Sequence, residues 1–281
     1  MKFSLDADVF VPDGTAFDNA LKRTTHLCIA AHQDDIEIFA WHGIRQCFES
    51  KDKWFTGVVV TDGAGSPRSF EYKDYSDEEM MKVRHEEQRK AASIGKYSAM
   101  VQLLHPSSSV KGGDGCVVDD LVEIIKTTQP HTVYLHNPAD KHDTHIAVLL
   151  RCIEALRKMS VSKRPQMVLG CEVWRSLDWV NDDQKYVLPL DGEEDVAASI
   201  LEVFDSQISG GKRYDLATAG RRLSNATFFQ SHDTDEQTAI TYALDLTPLI
   251  EDDNMSISDF TENFINSFCN DVKDRLERFK R

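Results

Sequence analysis

Short apolar runs alternate with stretches of helical periodicity through the first two thirds of the chain, and no other feature restricts the fold as much. HLCIAA (26–31) has the length and composition of a buried strand, and a helical pattern follows from about Ile36 to Ser50. TGVVVTDG (56–63) is a second strand closed by an Asp-Gly turn, and the stretch 62–75, with its Gly, Ser and Pro, reads as a long loop. Ser76-Asp77-Glu78-Glu79 has the form of a capping box and opens a helix running to Gly95, a residue suited to a C-terminal cap. Strands at 99–104, 131–137 and 166–173 alternate with helices at 119–128 and 145–158. This alternation predicts an α/β fold: a Rossmann-like, mainly parallel sheet with helices on both faces.

After about residue 174 the pattern loosens, with helices expected near 193–208 and 213–225, a strand at 238–246 and a terminal helix from about Ser258. No linker composition interrupts the chain, so 1–281 is read as one domain. Its motif-bearing core is about 24–175, and the less regular part, about 176–281, adds C-terminal α/β elements.

Composition narrows the function classes. A net charge of −15 disfavours a polyanion partner, because phosphate contacts need clustered Lys and Arg, so no nucleic-acid partner is expected. No apolar run approaches the roughly 20 residues of a membrane span, and MKFSLDADVFVPDG lacks the apolar stretch of a secretory leader. Six dispersed cysteines without a Cys-x-x-Cys pair argue for buried thiols in a reducing compartment rather than a disulfide framework. Together these features lead to the expectation of a cytoplasmic protein.

The chemistry-bearing residues cluster where two strands end. Ala31-His32-Gln33-Asp34-Asp35-Ile36-Glu37 follows the 26–31 strand, and His136-Asn137-Pro138-Ala139-Asp140-Lys141-His142-Asp143-Thr144-His145 follows the 131–136 strand. If both strands are parallel and central, both segments open onto the carboxyl rim of the sheet, where such folds bind ligands. Imidazole and carboxylate are ligands that zinc accepts, three of them leaving one position for water. Adjacent side chains diverge, so one of Asp34 and Asp35 can bind metal while the other remains a base. Spacing alone goes no further than a metal site. Arg84 and Glu87 stand on a helix stripe with Met80, Ala91 and Ile94 that otherwise reads as core. They form either a buried ion pair or a device in which Glu87 orients Arg84 to bind sugar oxygens or an anionic group.

His32-x-Asp34-Asp35-x-Glu37-Ile38 resembles the first signature of the PIG-L (LmbE-like) deacetylase family, and His142-x-x-His145 resembles the second. Arg84-x-x-Glu87 with Ala91 and Ile94-Gly95 is similar to a third, and the three segments occur in family order over about residues 24 to 160. The resemblance implies an LmbE-like fold and a zinc-dependent hydrolase that removes the N-acetyl group from an N-acetylglucosamine-type substrate. It implies one Zn2+ per chain, with another divalent metal able to substitute, held by His32, Asp35 and His145. Asp34 would be the general base and a protonated His142 would stabilise the oxyanion; Arg84, from its place on the helix stripe, is expected to bind substrate. The implied partner is a small N-acetylated amino-sugar derivative, and relatives often assemble as homo-oligomers. Rival readings are a metal-dependent hydrolase of another amide or of a phosphoester, the latter needing a second metal, and a lapsed sugar-binding module.

Three positions depart from the family pattern. Thr144 stands where relatives carry Asp before the second metal-binding His, leaving Asp140 or Asp143 to take over. Gln33 replaces a small residue or Pro. Phe204-Asp205-Ser206-Gln207 has Phe where relatives have His, which argues against a pocket role for that segment.

Overall fold

Strands that are apolar on both sides need cover on both faces, and the helices between them provide it. The computed structural model describes residues 1–280. In chain order the elements are β1 (Asp8–Phe10), α1 (Phe17–Lys22), β2 (His26–Ala30), α2 (Asp35–Phe39), α3 (Trp41–Cys47), β3 (Phe55–Thr61), α4 (Asp77–Ile94) and β4 (Ala99–His105). There follow α5 (Ser107–Gly112), α6 (Gly115–Thr128), β5 (Thr132–His136), α7 (Asp143–Arg157), β6 (Met167–Cys171) and β7 (Tyr186–Pro189). The last are α8 (Glu194–Glu202), α9 (Asp205–Ile208), α10 (Tyr214–Phe229), β8 (Ile240–Asp245), α11 (Pro248–Glu251) and α12 (Ile257–Arg278).

The eight strands form one sheet in the order β1-β4-β3-β2-β5-β6-β8-β7. The five from β4 to β6 are parallel, whereas β1 pairs antiparallel with β4, β8 with β6, and β7 with β8. The expected mainly parallel α/β sheet is therefore present. From β2 the chain winds outward to β3 and β4, then returns to place β5 on the other side of β2. The crevice at the carboxyl ends of β2 and β5 is thus a topological switch point.

Alternate strand residues feed two cores. Leu27, Ile29, Val133 and Leu135 point to the face covered by α6 and α7, where they meet Leu121, Ile125, Leu149 and Ile153. Cys28, Ala30 and Tyr134 point to the opposite face, against Ile36, Phe39, Trp41 and Ile44 of α2 and α3.

Several boundaries differ from the sequence pattern for identifiable reasons. The helix expected over 36–50 breaks at Ala40, because the Arg222 guanidinium takes the carbonyls of Glu37 and Ile38 (2.8 and 3.3 Å) that a continuous helix would use. The helix expected over 193–208 stops at Glu202 and resumes as α9 after Phe204. Strands β1 and β7 are edge strands of three and four residues, too short to carry periodicity. The capping box at Ser76 forms as expected.

Gly95 does cap α4, but at φ −74°, and Lys96 takes the positive φ of +52°. Glycine is required at 95 for space: a Cβ there would lie 2.5 Å from the ring of Tyr97, a buried side chain whose hydroxyl donates to Glu37. Gly95→Ala is accordingly expected to lower stability in urea denaturation by about 1–3 kcal/mol, as other overpacked sites do. Lys96→Gly, which changes the residue with positive φ, should shift it by less than about 1 kcal/mol. Equal effects of the two substitutions would contradict this account.

Candidate metal centre and active-site cavity

The loop after β2 turns sharply into α2, and the turn is made at Asp34, whose φ of +84° is unusual for a residue with a side chain. Two neighbours hold it there. Gln88 accepts from the Asp34 backbone N–H at 3.2 Å, and Arg84 donates to the carbonyl of Gln33. Consecutive side chains diverge at this turn as expected. Asp35 points towards the histidines, and Asp34 points to Arg84, whose Nη2 lies 2.9 Å from its Oδ2.

Three donor atoms converge beside it. His32 Nδ1 is 3.2 Å from Asp35 Oδ2 and 3.2 Å from His145 Nε2, and His145 Nε2 is 3.3 Å from Asp35 Oδ2. Donors arranged tetrahedrally about an ion with bonds of roughly 2.0–2.1 Å lie about 3.3 Å apart. The triangle therefore fits zinc. His145 comes from the first turn of α7, and its Nδ1 faces Asp140 Oδ2 at 3.3 Å, so the proton belongs on Nδ1 and the Nε2 lone pair faces the triangle. Electrostatics also call for positive charge here. Burial opposes a charged ring, yet Asp35 and Asp140 push His145 up to about 9. Against the burial that raises it, His145 and His32 hold the Asp35 carboxyl well below its usual range.

Asp140 takes the place left by Thr144. Besides facing His145 it accepts from the backbone N–H of His142 at 3.0 Å and of Trp174 at 3.3 Å, whereas Asp143 is exposed. His136, not singled out by spacing, also approaches, its Nε2 3.7 Å from Asp35 Oδ2. That nitrogen accepts the Ala31 N–H at 2.9 Å, so its lone pair is already used. The ring stacks on His145 with centroids 3.9 Å apart and keeps it in place.

Burial pushes Asp34 up to about 6, although Arg84 pulls the other way. His142, the residue preceding α7, stands with its ring centroid 4.9 Å from that of His32 and 4.6 Å from that of His145. Burial and then His145 lower its pKa. Arg84 is 2% exposed and committed to protein: besides Asp34 and Gln33 it binds Glu87 Oε2 at 3.1 Å and Ser206 Oγ at 3.3 Å. Of the two readings of the Arg84–Glu87 stripe, the buried ion pair is realised, and it extends to Asp34. Ser206 donates to Glu87 through both its N–H and its hydroxyl, each at 2.7 Å. The segment 204–207 therefore does reach the site, contrary to the inference from Phe204. Phe204 itself is buried under the Arg84 guanidinium.

A cavity of about 480 Å³ opens over these groups, bordered by His32, Asp34, Asp35, Arg84 and His142. Its outer wall is Trp174, Tyr214, Gln207, Lys111 and Lys212, drawn from four separate segments. Lys212 and Lys141 approach the Trp174 ring at 5.2 and 5.8 Å. Neither Trp174 nor the Gly210-Gly211-Lys212 turn stands in a motif whose spacing marks it as part of a site. Arg68 binds Ala64 O and Asp77 and does not border the cavity. Gly63 at the cavity floor has φ +79°, and a Cβ there would meet Gln33 Oε1 at 2.7 Å, which explains the Asp-Gly turn beside Gln33.

Comparison with solved structures places this fold among known ones. N,N'-diacetylchitobiose deacetylase from Pyrococcus horikoshii superposes with a TM-score of 0.61 at 16% identity, over 82% of this chain and 86% of that one. The 4-carboxy-2-hydroxymuconate hydratase GalB from Pseudomonas putida KT2440 gives 0.58 at 16% identity, over 79% and 96%. The zinc-inhibited form of the teicoplanin deacetylase Orf2 gives 0.57 at 13%, over 79% and 97%. No curated protein matches by sequence. Residues 27–156 match the family model described as PIG-L: GlcNAc-PI de-N-acetylase, and they span β2 to α7 with every residue of the triangle. This segment, 27–156, is what the chain shares with the PIG-L family.

Proposed function

We propose that the cavity hydrolyses the N-acetyl group of an N-acetylglucosamine-type substrate, with one zinc or similar divalent ion per chain held by His32, Asp35 and His145. The observation that carries this reading is the triangle of donor atoms with a second, differently paired carboxylate, Asp34, beside it. A divalent ion bound there supplies Lewis acidity towards a carbonyl oxygen and towards water. The chain's own groups supply the rest. Asp34, steadied by Arg84 and Gln88, accepts the proton of the attacking water and then has it to deliver to the leaving amine. His142 donates an N–H to the acetamide oxygen as that oxygen gains charge; burial and His145 disfavour its charged form, and the neutral ring still has one donor. In this reading Arg84 positions Asp34 and does not touch the sugar, and Trp174 offers the ring a stacking surface between Lys141 and Lys212.

A single ion is favoured over two. Two other trios lie close enough to hold metal, His32 with His142 and His145 and Asp35 with His136 and His145; each shares two residues with the triangle, and the His136 lone pair is occupied by the Ala31 N–H. Because the same fold carries a protein named as a hydratase, acetate release is the measurement that separates the reactions. Protein stripped by a chelator should release no acetate from N-acetylglucosamine derivatives, and one equivalent of zinc should restore release. Since one neighbour is described in a zinc-inhibited form, the titration should continue past one equivalent. No acetate from any derivative at any zinc level would refute the deacetylase reading.

Substitutions separate the roles. Asp34→Asn should keep the ion and lose about 10²–10⁴ in kcat, the usual contribution of a positioned base. His145→Ala should lose both metal and activity, and Asp140→Asn should weaken metal binding about 10–100-fold through His145. Normal turnover by zinc-loaded Asp34→Asn would show that the base lies elsewhere. Arg84→Met should cost about 3–5 kcal/mol of stability by stranding Glu87 and Asp34, and in the surviving fold should lower kcat more than it raises KM. A pure KM effect would instead return Arg84 to substrate binding.

A further inference from the structure

Arg222 is a buried cation with no anion beside it among the described residues. Its side chain lies on α10 and is 7% exposed; the hydrogen bonds it makes both leave from Nη2, to Glu37 O and Ile38 O. Its Nε is buried without an acceptor. Burial alone lowers its pKa to about 9, with no carboxylate near enough to oppose the effect. The contrast with Arg84, which is also buried but paired with two carboxylates, is direct. An uncompensated guanidinium is expensive to hold away from water, and the metal centre makes no use of it.

This same residue borders a pocket of about 290 Å³ between α8 and α10, separate from the cavity above the triangle. The pocket walls are mostly apolar: Trp41, Leu190, Ala197, Leu201, Leu216 and Ala219 contribute. Leu216 is 61% exposed, although it faces this depression. Three acids also border it, but Glu194 and Glu202 are exposed, and Asp215 is paired with Arg213 through two hydrogen bonds of 3.0 and 2.6 Å. Neither of the exposed acids forms an ion pair with Arg222. The pocket therefore combines an unpaired cation with apolar walls.

We propose that this pocket binds a small monocarboxylate with an apolar tail, its carboxylate pairing with Arg222 and its tail lying between α8 and α10. Charge complementarity selects the carboxylate, since guanidinium pairs with it by charge-assisted hydrogen bonds. The volume sits at the lower end of small-molecule sites, about 300 Å³, which suits a short or medium chain rather than a full-length lipid. The acids at the rim disfavour a ligand with a second negative charge.

The test is calorimetric titration of the full chain with octanoate, with octanol as the neutral counterpart. Octanoate should bind once per chain and at least about ten-fold more tightly than octanol, the preference expected from a charge-assisted pair. Arg222→Met should bind the two alike. Because that variant removes a side chain that also holds α2, Ala219→Trp provides a second arm: position 219 is exposed, Arg222 is retained, and the pocket mouth is filled, so octanoate binding should be lost. Equal binding of octanoate and octanol to the native chain overturns the proposal, as does undiminished octanoate binding by Ala219→Trp, which would put the ligand in the other cavity. Sedimentation closes the remaining alternative: a dimer split by Ala219→Trp, with no octanoate uptake, would make a second copy of the chain the occupant and overturn the proposal as well.

Discussion

Two adjacent carboxylates, Asp34 and Asp35, are buried side by side at the end of β2, and the surrounding structure is arranged to make that tolerable. Each is neutralised differently. Asp35 faces imidazole nitrogens in a triangle with edges of 3.2–3.3 Å, and Asp34 faces a guanidinium. Two like charges in one low-dielectric place cannot share one solution without one of them taking up a proton. The turn at Asp34, with its positive φ, keeps the solutions separate by sending neighbouring side chains in different directions.

Keeping them separate requires support that extends well beyond the site. Arg84 is braced by Glu87, Glu87 by Ser206 of α9, and the Asp34 backbone by Gln88, which in turn donates to Glu37 at 2.8 Å. Tyr97 closes the chain by donating to the same Glu37 oxygen at 2.6 Å, and Gly95 makes room for its ring. On the other side Asp140 fixes the tautomer and direction of His145, and His136 packs against it. Hydrogen bonds in such a buried, low-dielectric network polarise and orient one another. That links the end of α4 to the geometry of a carboxylate on α2.

The helix that carries Asp35 is also short because of Arg222, which takes two carbonyls at its C-terminal end. Residues of the looser C-terminal part thus shape the motif-bearing part from outside it. Ser206 reaches Glu87, Lys212 and Tyr214 border the cavity, and Arg222 ends α2. Family-model similarity stops at residue 156, so these contributions lie beyond the shared segment.

Much of the candidate site's geometry was legible in the sequence because its residues lie within a few positions of strand ends. His32, Asp34 and Asp35 follow β2 directly, and His142 and His145 enter α7, so local pattern and the parallel-sheet rule were enough to bring them together. Strand and helix order in the central sheet was legible for the same reason, since burial on both faces leaves continuous apolar runs. What local pattern does not contain is the partner that a residue meets across the fold. Whether Arg84 turned to substrate or to Asp34, whether Asp140 or Asp143 faced His145, and where α2 ended were decided by contacts 50, 5 and 185 residues apart in the chain. Trp174 and Lys212 likewise became cavity wall only through packing, because spacing in sequence carries no record of which loops meet over the crevice.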